Sequence, residues 1–130
     1  MHIESDKKTV SKSQKESFEF LKNVENFEKL MPEGIEKFEM LSSDSFLFQL
    51  KGMPAIKLKL EKTEPHHLVV LGAVSDKLPF TLRGEIEAID DSSSLVQLIF
   101  EGEFNSMMAM MIKNPIKKFI TSLSENLETI

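Results

Sequence analysis

Residues 18–39 read "FEFLKNVENFEKLMPEGIEKFE", and the fold turns on a change of period inside them. Up to Met31 the apolar residues recur at helical spacing, Phe18 with Leu21 and then Val24, Phe27 and Met31. From Ile35 onward they alternate with polar residues, as on a strand with one face buried. Pro32 and Gly34 stand at the change and end the second helix. Two short helices therefore hand over to a sheet.

Working toward the N-terminus, Ser13 and Glu16 have the S-x-x-E spacing of a capping box, in which each side chain satisfies an orphan backbone N–H. A helix thus starts just after Ser13. Residues 2–10, with Ile3, Thr9 and Val10 among charges, predict a short strand ahead of it. Working toward the C-terminus, Phe38 and Met40 alternate, as do Phe46, Phe48 and Leu50. "IKLKLEK" sets Ile56, Leu58 and Leu60 against Lys57, Lys59 and Glu61 and is the cleanest strand in the chain. After "EPHH", "LVVLGAV" is apolar on both faces. Phe80, Leu82, Ile86 and Ala88 then oppose Thr81, Arg83, Glu85 and Glu87, and after "DDSSS" Val96, Leu98, Phe100 and Phe104 share a face. Six consecutive strands with short turns predict an antiparallel meander with one solvated face. From Asn105 or Ser106 the chain is helical again. Ile112, Ile116, Phe119, Ile120, Leu123, Leu127 and Ile130 form one apolar stripe, interrupted by Pro115. That proline removes a backbone bond and crowds the carbonyl of Met111, which predicts a kink or break at 111–115.

The totals bound the function. The 130 residues fit one domain, 1–130, long enough to bury a core without staples. The net charge is −5 with the signs interspersed, and Arg83 is the only arginine, so nucleic acid finds no clustered basic footprint. The absence of cysteine excludes disulfides, thiolate metal sites and cysteine nucleophiles, and it fits a reducing compartment. No apolar leader or membrane-spanning run is present, so the expected address is the cytoplasm, without stable membrane insertion.

The order strand, two short helices, six meandering strands and long terminal helix resembles the helix-grip order of the START-like (SRPBCC) superfamily. That group includes birch-pollen-allergen-like carriers, polyketide cyclase/dehydrase and lipid-transport proteins, and coenzyme-Q-binding proteins. The resemblance covers nearly the whole chain. It is sharpest from Phe18 and Leu21 through Asn26-Phe27 and Leu30-Met31-Pro32 to Ile35, where Leu30 stands in place of the family's frequent aromatic. It implies an α+β domain in which a curved antiparallel seven-stranded sheet grips the C-terminal helix on its concave face and encloses a cavity. The inward face would be the even-numbered register: Phe46, Phe48, Leu58, Leu60, Val70, Phe80, Leu82, Ile86, Leu98 and Phe100, with Gly72, Gly84 and Gly102 helping the sheet to bend. Val69, Leu71 and Ala73, with Leu95 and Ile99, would then face outward as an apolar patch suited to a homodimer or another partner.

Candidate chemistry is sparse. Four methionines, Met107, Met108, Met110 and Met111, could bind a soft metal, touch a membrane, or line a pocket while packing in the core, and without cysteine nearby the last reading leads. His66 and His67 are adjacent on a turn and point apart, which does not suit one metal ion. Arg83, Glu85 and Glu87 read as outward charge pairs, and Asp44, Asp76, Asp90 and Asp91 as turn residues. Ser92, Ser93 and Ser94 have no base at a suggestive spacing, so nothing assembles a nucleophile and base, and no cofactor is called for. The expected function is the binding or carrying of a small hydrophobic molecule, a lipid, quinone or polyketide-like compound. The expected lining is Phe46, Phe48, Leu58, Leu60, Phe80, Leu82, Leu98, Phe100, Met107, Met108 and Met111. The alternatives are a cyclase/dehydrase-type enzyme, which needs a titratable group reaching the cavity, and an interaction module whose core is filled.

Overall fold

A computed structural model describes residues 1–74 and 79–130; Asp76 lies outside the described residues. The elements run β1 (His2–Glu4), β2 (Lys8–Val10), α1 (Gln14–Lys22), a 3-10 turn (Val24–Asn26), α2 (Phe27–Leu30), β3 (Lys37–Ser42), β4 (Ser45–Gln49), β5 (Ile56–Glu64), β6 (Leu68–Ala73), β7 (Phe80–Asp90), β8 (Ser93–Gly102) and α3 (Ser106–Leu127). The sheet is antiparallel in the order β1-β8-β7-β6-β5-β4-β3, with β2 also on β8. The helix-grip expectation holds, and the meander appears strand for strand.

The capping box that starts α1 is formed: Glu16 N–H donates to Ser13 Oγ, and Ser13 N–H to Glu16 Oε1, both at 3.1 Å. One element differs from expectation. The first strand is split in two, so eight strands replace the expected seven. Between Glu4 and Lys8 the N-terminal segment spends three residues where β8 spends two, Gln97 and Leu98. Ser5 makes this bulge tolerable. Its N–H donates to the Leu98 carbonyl at 2.9 Å, and its hydroxyl oxygen accepts the Leu98 N–H at 2.9 Å. A side-chain oxygen thus replaces a ladder carbonyl, and no buried group is left unpaired.

The even-numbered face is the inward one on β4, β7 and β8, where Phe46, Phe48, Leu82, Ile86, Leu98 and Phe100 are buried. On β6 the parity is reversed. Val69 lies opposite Gly84 and Leu71 opposite Leu82, so Val69 and Leu71 face the core while Val70 and Gly72 face out. Leu58 pairs with Ala73, an odd-numbered partner, and a bulge at Glu61 follows. Turn length sets this parity, and a strand apolar on both faces carries no alternation to reveal it. The outer patch therefore loses Val69, Leu71 and Ala73 to the core, and Ile99 is buried as well, so no exposed apolar patch of that kind forms among the described residues. Gly72 sits beneath the Glu61 carboxylate on the outer face instead of curving the inner one. Gly84 keeps its expected place, since Leu21 of α1 lies 3.0 Å from where its Cβ would stand.

A buried polar seam joins α1 to β8. Ser17 and Ser94 Oγ are 2.8 Å apart, and Ser94 Oγ donates to the Lys12 carbonyl at 2.9 Å. Since Ser94 gives its only proton to Lys12, Ser17 must be the donor of the pair. The two substitutions should therefore differ. Ser94→Ala strands both the Ser17 hydroxyl and the Lys12 carbonyl and should destabilise by about 2 kcal/mol in urea melts, whereas Ser17→Ala should cost about 1 kcal/mol. Equal losses would mean that the proton order is otherwise.

Of the expected kink or break at 111–115, a break is absent: the long helix runs as one α-helix through Pro115. Its buried face is Ile112, Ile116, Phe119, Ile120, Leu123, Ser124 and Leu127, laid against the sheet and α2. Asn126 clasps α2, with Nδ2 donating to the Leu30 carbonyl at 2.8 Å.

Candidate ligand-binding site

Most of the residues expected to line a cavity converge on one concave surface. Phe46, Phe48, Leu58, Leu82, Leu98 and Phe100 are buried there, and Leu60, Phe80 and Met108 pack against them partly buried. Met107 and Met111 do not join them, at 74% and 67% exposure. The reason is helical phase. The stripe from Ile112 to Leu127 fixes which side of α3 faces the sheet, and Met111 and Met107 lie about 100° and 140° around from Ile112. Only Met108 is turned inward.

The concave side is occupied by the chain's own rings. Phe119 stacks on Phe48 at 4.8 Å between centroids and an interplanar angle of 10°. Phe46 stacks on Phe27 at 5.6 Å and on Phe38 at 5.1 Å. Toward the other edge, Phe100 lies 4.7 Å from Phe80 and 6.2 Å from Phe104.

An open groove of about 510 Å³ borders this stack at Phe119. Pro32, Leu50, Pro115 and Phe119 provide its apolar surface, and Glu33, Lys51, Asn114, Lys118 and Ser122 its polar rim. Local structure fixes each wall. Gly34 and Gly52, at φ +81° and +80°, allow the two turns that a side chain would strain. The Met53 N–H donates to the Leu50 carbonyl and Gln49 Nε2 to the Met53 carbonyl, both at 3.0 Å, which pins the β4–β5 turn. On the helix side Pro115 has no N–H, so the Met111 carbonyl loses its α-helical partner at this point of the wall. Of these residues, the sequence singled out Pro32, Leu50, Pro115 and Phe119 for other reasons and the polar rim not at all. Rim residues come from two separate turns and from α3, and no spacing in the sequence relates them.

Among the described residues, the buried polar side chains are Ser5, Ser17, Ser94 and Ser124, all without charge. Arg83 lies on the outer face, its Nη1 donating to Glu101 Oε1 at 2.6 Å and its Nε to Glu85 Oε2 at 3.1 Å. Ser92 and Ser93 hydrogen-bond the Asp90 carboxylate within the β7–β8 turn. His66 meets the edge of Phe18 at 5.3 Å, and the His67 N–H closes the β5–β6 turn on the Glu64 carbonyl at 3.0 Å. Among the described residues, no three His, Asp or Glu side chains converge as metal ligands, and no helix is long and apolar enough to cross a membrane.

The outer charge pairs make stability depend on acid. The Arg83 hydrogen bond holds the Glu101 carboxyl below its ordinary value of 4.5, and hydrogen bonds from Ser92 and Ser93 lower Asp90 from 3.8. A carboxyl depressed in the folded state contributes stability that is complete above its unfolded value and is lost as pH falls through the folded one. Thermal midpoints should therefore hold steady from neutral pH to about 5 and fall below about 4.5. In Arg83→Gln, the part of that fall due to Glu101 should be smaller. An identical acid limb in the two proteins would count against the pairing.

No family model matches this sequence, nor does any curated protein. Solved structures do match in shape. A norcoclaurine synthase point mutant from Thalictrum flavum, in complex with a transition-state analogue, superposes with a TM-score of 0.74 at 11% identity, covering 99% of this chain and 92% of that one. A START superfamily protein from Mycobacterium smegmatis gives 0.69 at 12% identity over 98% and 94%. A conserved protein from Geobacillus kaustophilus gives 0.68 at 12% over 99% and 93%. Such low identity with such complete coverage speaks to architecture alone. The chain has the START-like, helix-grip α+β fold.

Proposed function

We propose that this chain holds a small apolar or amphipathic molecule between α3 and the concave face of the sheet, admitted through the groove at Pro115. The observation that carries this reading is the position of Phe119. Its ring forms part of the groove surface on one side and stacks on Phe48 on the other, so a single side-chain movement would join groove and core. The lining would then be Phe46, Phe48, Leu58, Leu60, Phe80, Leu82, Leu98, Phe100 and Met108. Burying ~200 Å² of apolar ligand surface there would contribute about 5 kcal/mol before the opening of the stack is subtracted. Lys51 and Lys118 at the rim suit a ligand with an anionic head. The norcoclaurine synthase of Thalictrum flavum has been solved in complex with dopamine and hydroxybenzaldehyde, so a structure of this fold accommodates small aromatic molecules. Among the described residues the buried polar side chains are all serines, which favours holding over acid–base chemistry.

Native mass spectrometry of gently purified protein, followed by extraction of any bound lipid or quinone, tests the reading. A reproducible apolar adduct is expected. Repeated absence of an adduct, together with no uptake of fluorescent fatty acids, would sink it and leave a filled-core module.

A further inference from the structure

The first turns of α3 present apolar surface to solvent in a helix whose other face is already committed to the core. Met107, Met110 and Met111 are 74%, 82% and 67% exposed, at positions that share one side of the helix. Val74, 59% exposed, lies at the same rim of the sheet, since β6 ends at Ala73 and β8 at Gly102, the two strands that flank the start of β7. Farther along the same outer side of α3 come Lys117 and Lys118, with Lys113 at its flank, all exposed. Residues 104–124 contain these three lysines and no acidic residue, which leaves 13 basic against 21 acidic residues elsewhere in the chain. No ion pair among the described residues involves any of the three. An acidic protein thus carries a run of three lysines on α3 that adjoins its exposed methionines, with Glu4, Asp6 and Glu125 bordering Lys117 on the side away from them.

We propose that the outer face of α3 docks reversibly on an anionic lipid bilayer, with Met107, Met110 and Met111 entering the headgroup–acyl boundary and Lys113, Lys117 and Lys118 lying over the headgroups. Flexible thioether side chains adapt to an irregular apolar medium, and lysines beside an inserted apolar face are drawn to anionic lipid. The charge pattern decides against a second copy of this chain. Two such faces meeting would bring six lysines together with no acid from residues 104–124 of either copy to pair them. The face also lies apart from the ligand reading, because Met107, Met110, Met111, Lys113 and Lys117 do not line the groove at Pro115.

Vesicle co-sedimentation suits the test, since the chain has neither tryptophan nor tyrosine to report insertion. The full chain should sediment with vesicles of phosphatidylcholine and phosphatidylglycerol, much less with phosphatidylcholine alone, and be released by salt. Met107→Ser/Met110→Ser/Met111→Ser should abolish sedimentation while leaving the thermal midpoint unchanged, and the corresponding triple leucine variant should retain it. Lys113→Gln/Lys117→Gln should weaken it roughly 25-fold, a factor of about five for each lysine near the surface. Lys118 is left in place because it also borders the groove. Protein remaining in the supernatant with anionic vesicles, or a serine variant that binds as the parent does, overturns the proposal. So does a dimer in sedimentation velocity that the serine substitutions dissolve while vesicles have no effect, which would assign the face to a second copy.

Discussion

Phe46→Ala is expected to destabilise the domain by about 4 kcal/mol, a large share of what a chain of this size has. Phe46 has no solvent exposure and lies between Met40 and Leu58 in the sheet register. Phe27, Phe38 and Phe48 surround its ring at 5.6, 5.1 and 6.1 Å. Truncation removes the transfer free energy of the ring and leaves a void whose walls come from two strands and α2, three elements that cannot all move inward together. The midpoint of thermal unfolding should fall by about 15 °C. A loss below about 2 kcal/mol would mean that the stack collapses around the gap and is plastic even without a ligand.

Phe119→Ala should cost slightly less, about 3 kcal/mol, and should bring a gain that Phe46→Ala lacks. Its outer edge reaches the groove, so the vacated volume opens to solvent at one end instead of standing as a sealed void. The exposed face of Phe48 then becomes the wall of an apolar cleft. Benzene or a short aliphatic ligand should raise the melting temperature of this variant well above any effect on the parent. At a free concentration one hundred times its dissociation constant, a ligand restores about 2.7 kcal/mol. If the variant is destabilised yet no apolar probe protects it, Phe119 is only a core residue and the groove does not lead inward.

How far the sequence could be read depended on whether a local pattern had one meaning. The Ser13–Glu16 box and the Ile56–Leu60 alternation each have a single reading, and both stand as expected. Val69–Ala73 is apolar on both faces, so its orientation depended on a turn length and on the bulge at Glu61, neither of which leaves a mark in hydrophobic pattern. Met107 and Met111 were misplaced for a related reason. Methionine is apolar enough to suggest burial, but the rotation of α3 is set by the longer stripe from Ile112 to Leu127. Ser5 shows the limit most clearly. A serine in a strand of charges gives no hint that its hydroxyl will stand in for a carbonyl in the ladder, because that role exists only once Leu98, 93 residues away, lies beside it. The groove was illegible for the same reason: its rim comes from two turns and from α3, which only the closed fold brings together.

The pairing of β1 and β2 with β8 also governs the order in which the chain can settle. Residues 2–10 are among the first described here to leave the ribosome, yet their partners, Ser94 to Glu101, follow some ninety residues later. At ordinary elongation rates of 5–20 residues per second that interval is on the order of 5–20 s. Throughout it, Ile3 and Val10 have no strand to join, while the hairpins of the meander close through neighbours. The loop joining the two ends is long, so its closure carries an entropic cost that the neighbouring hairpins do not. The segment that straps β8 is thus made some ninety residues before the edge it covers, and that edge stays open until the two meet.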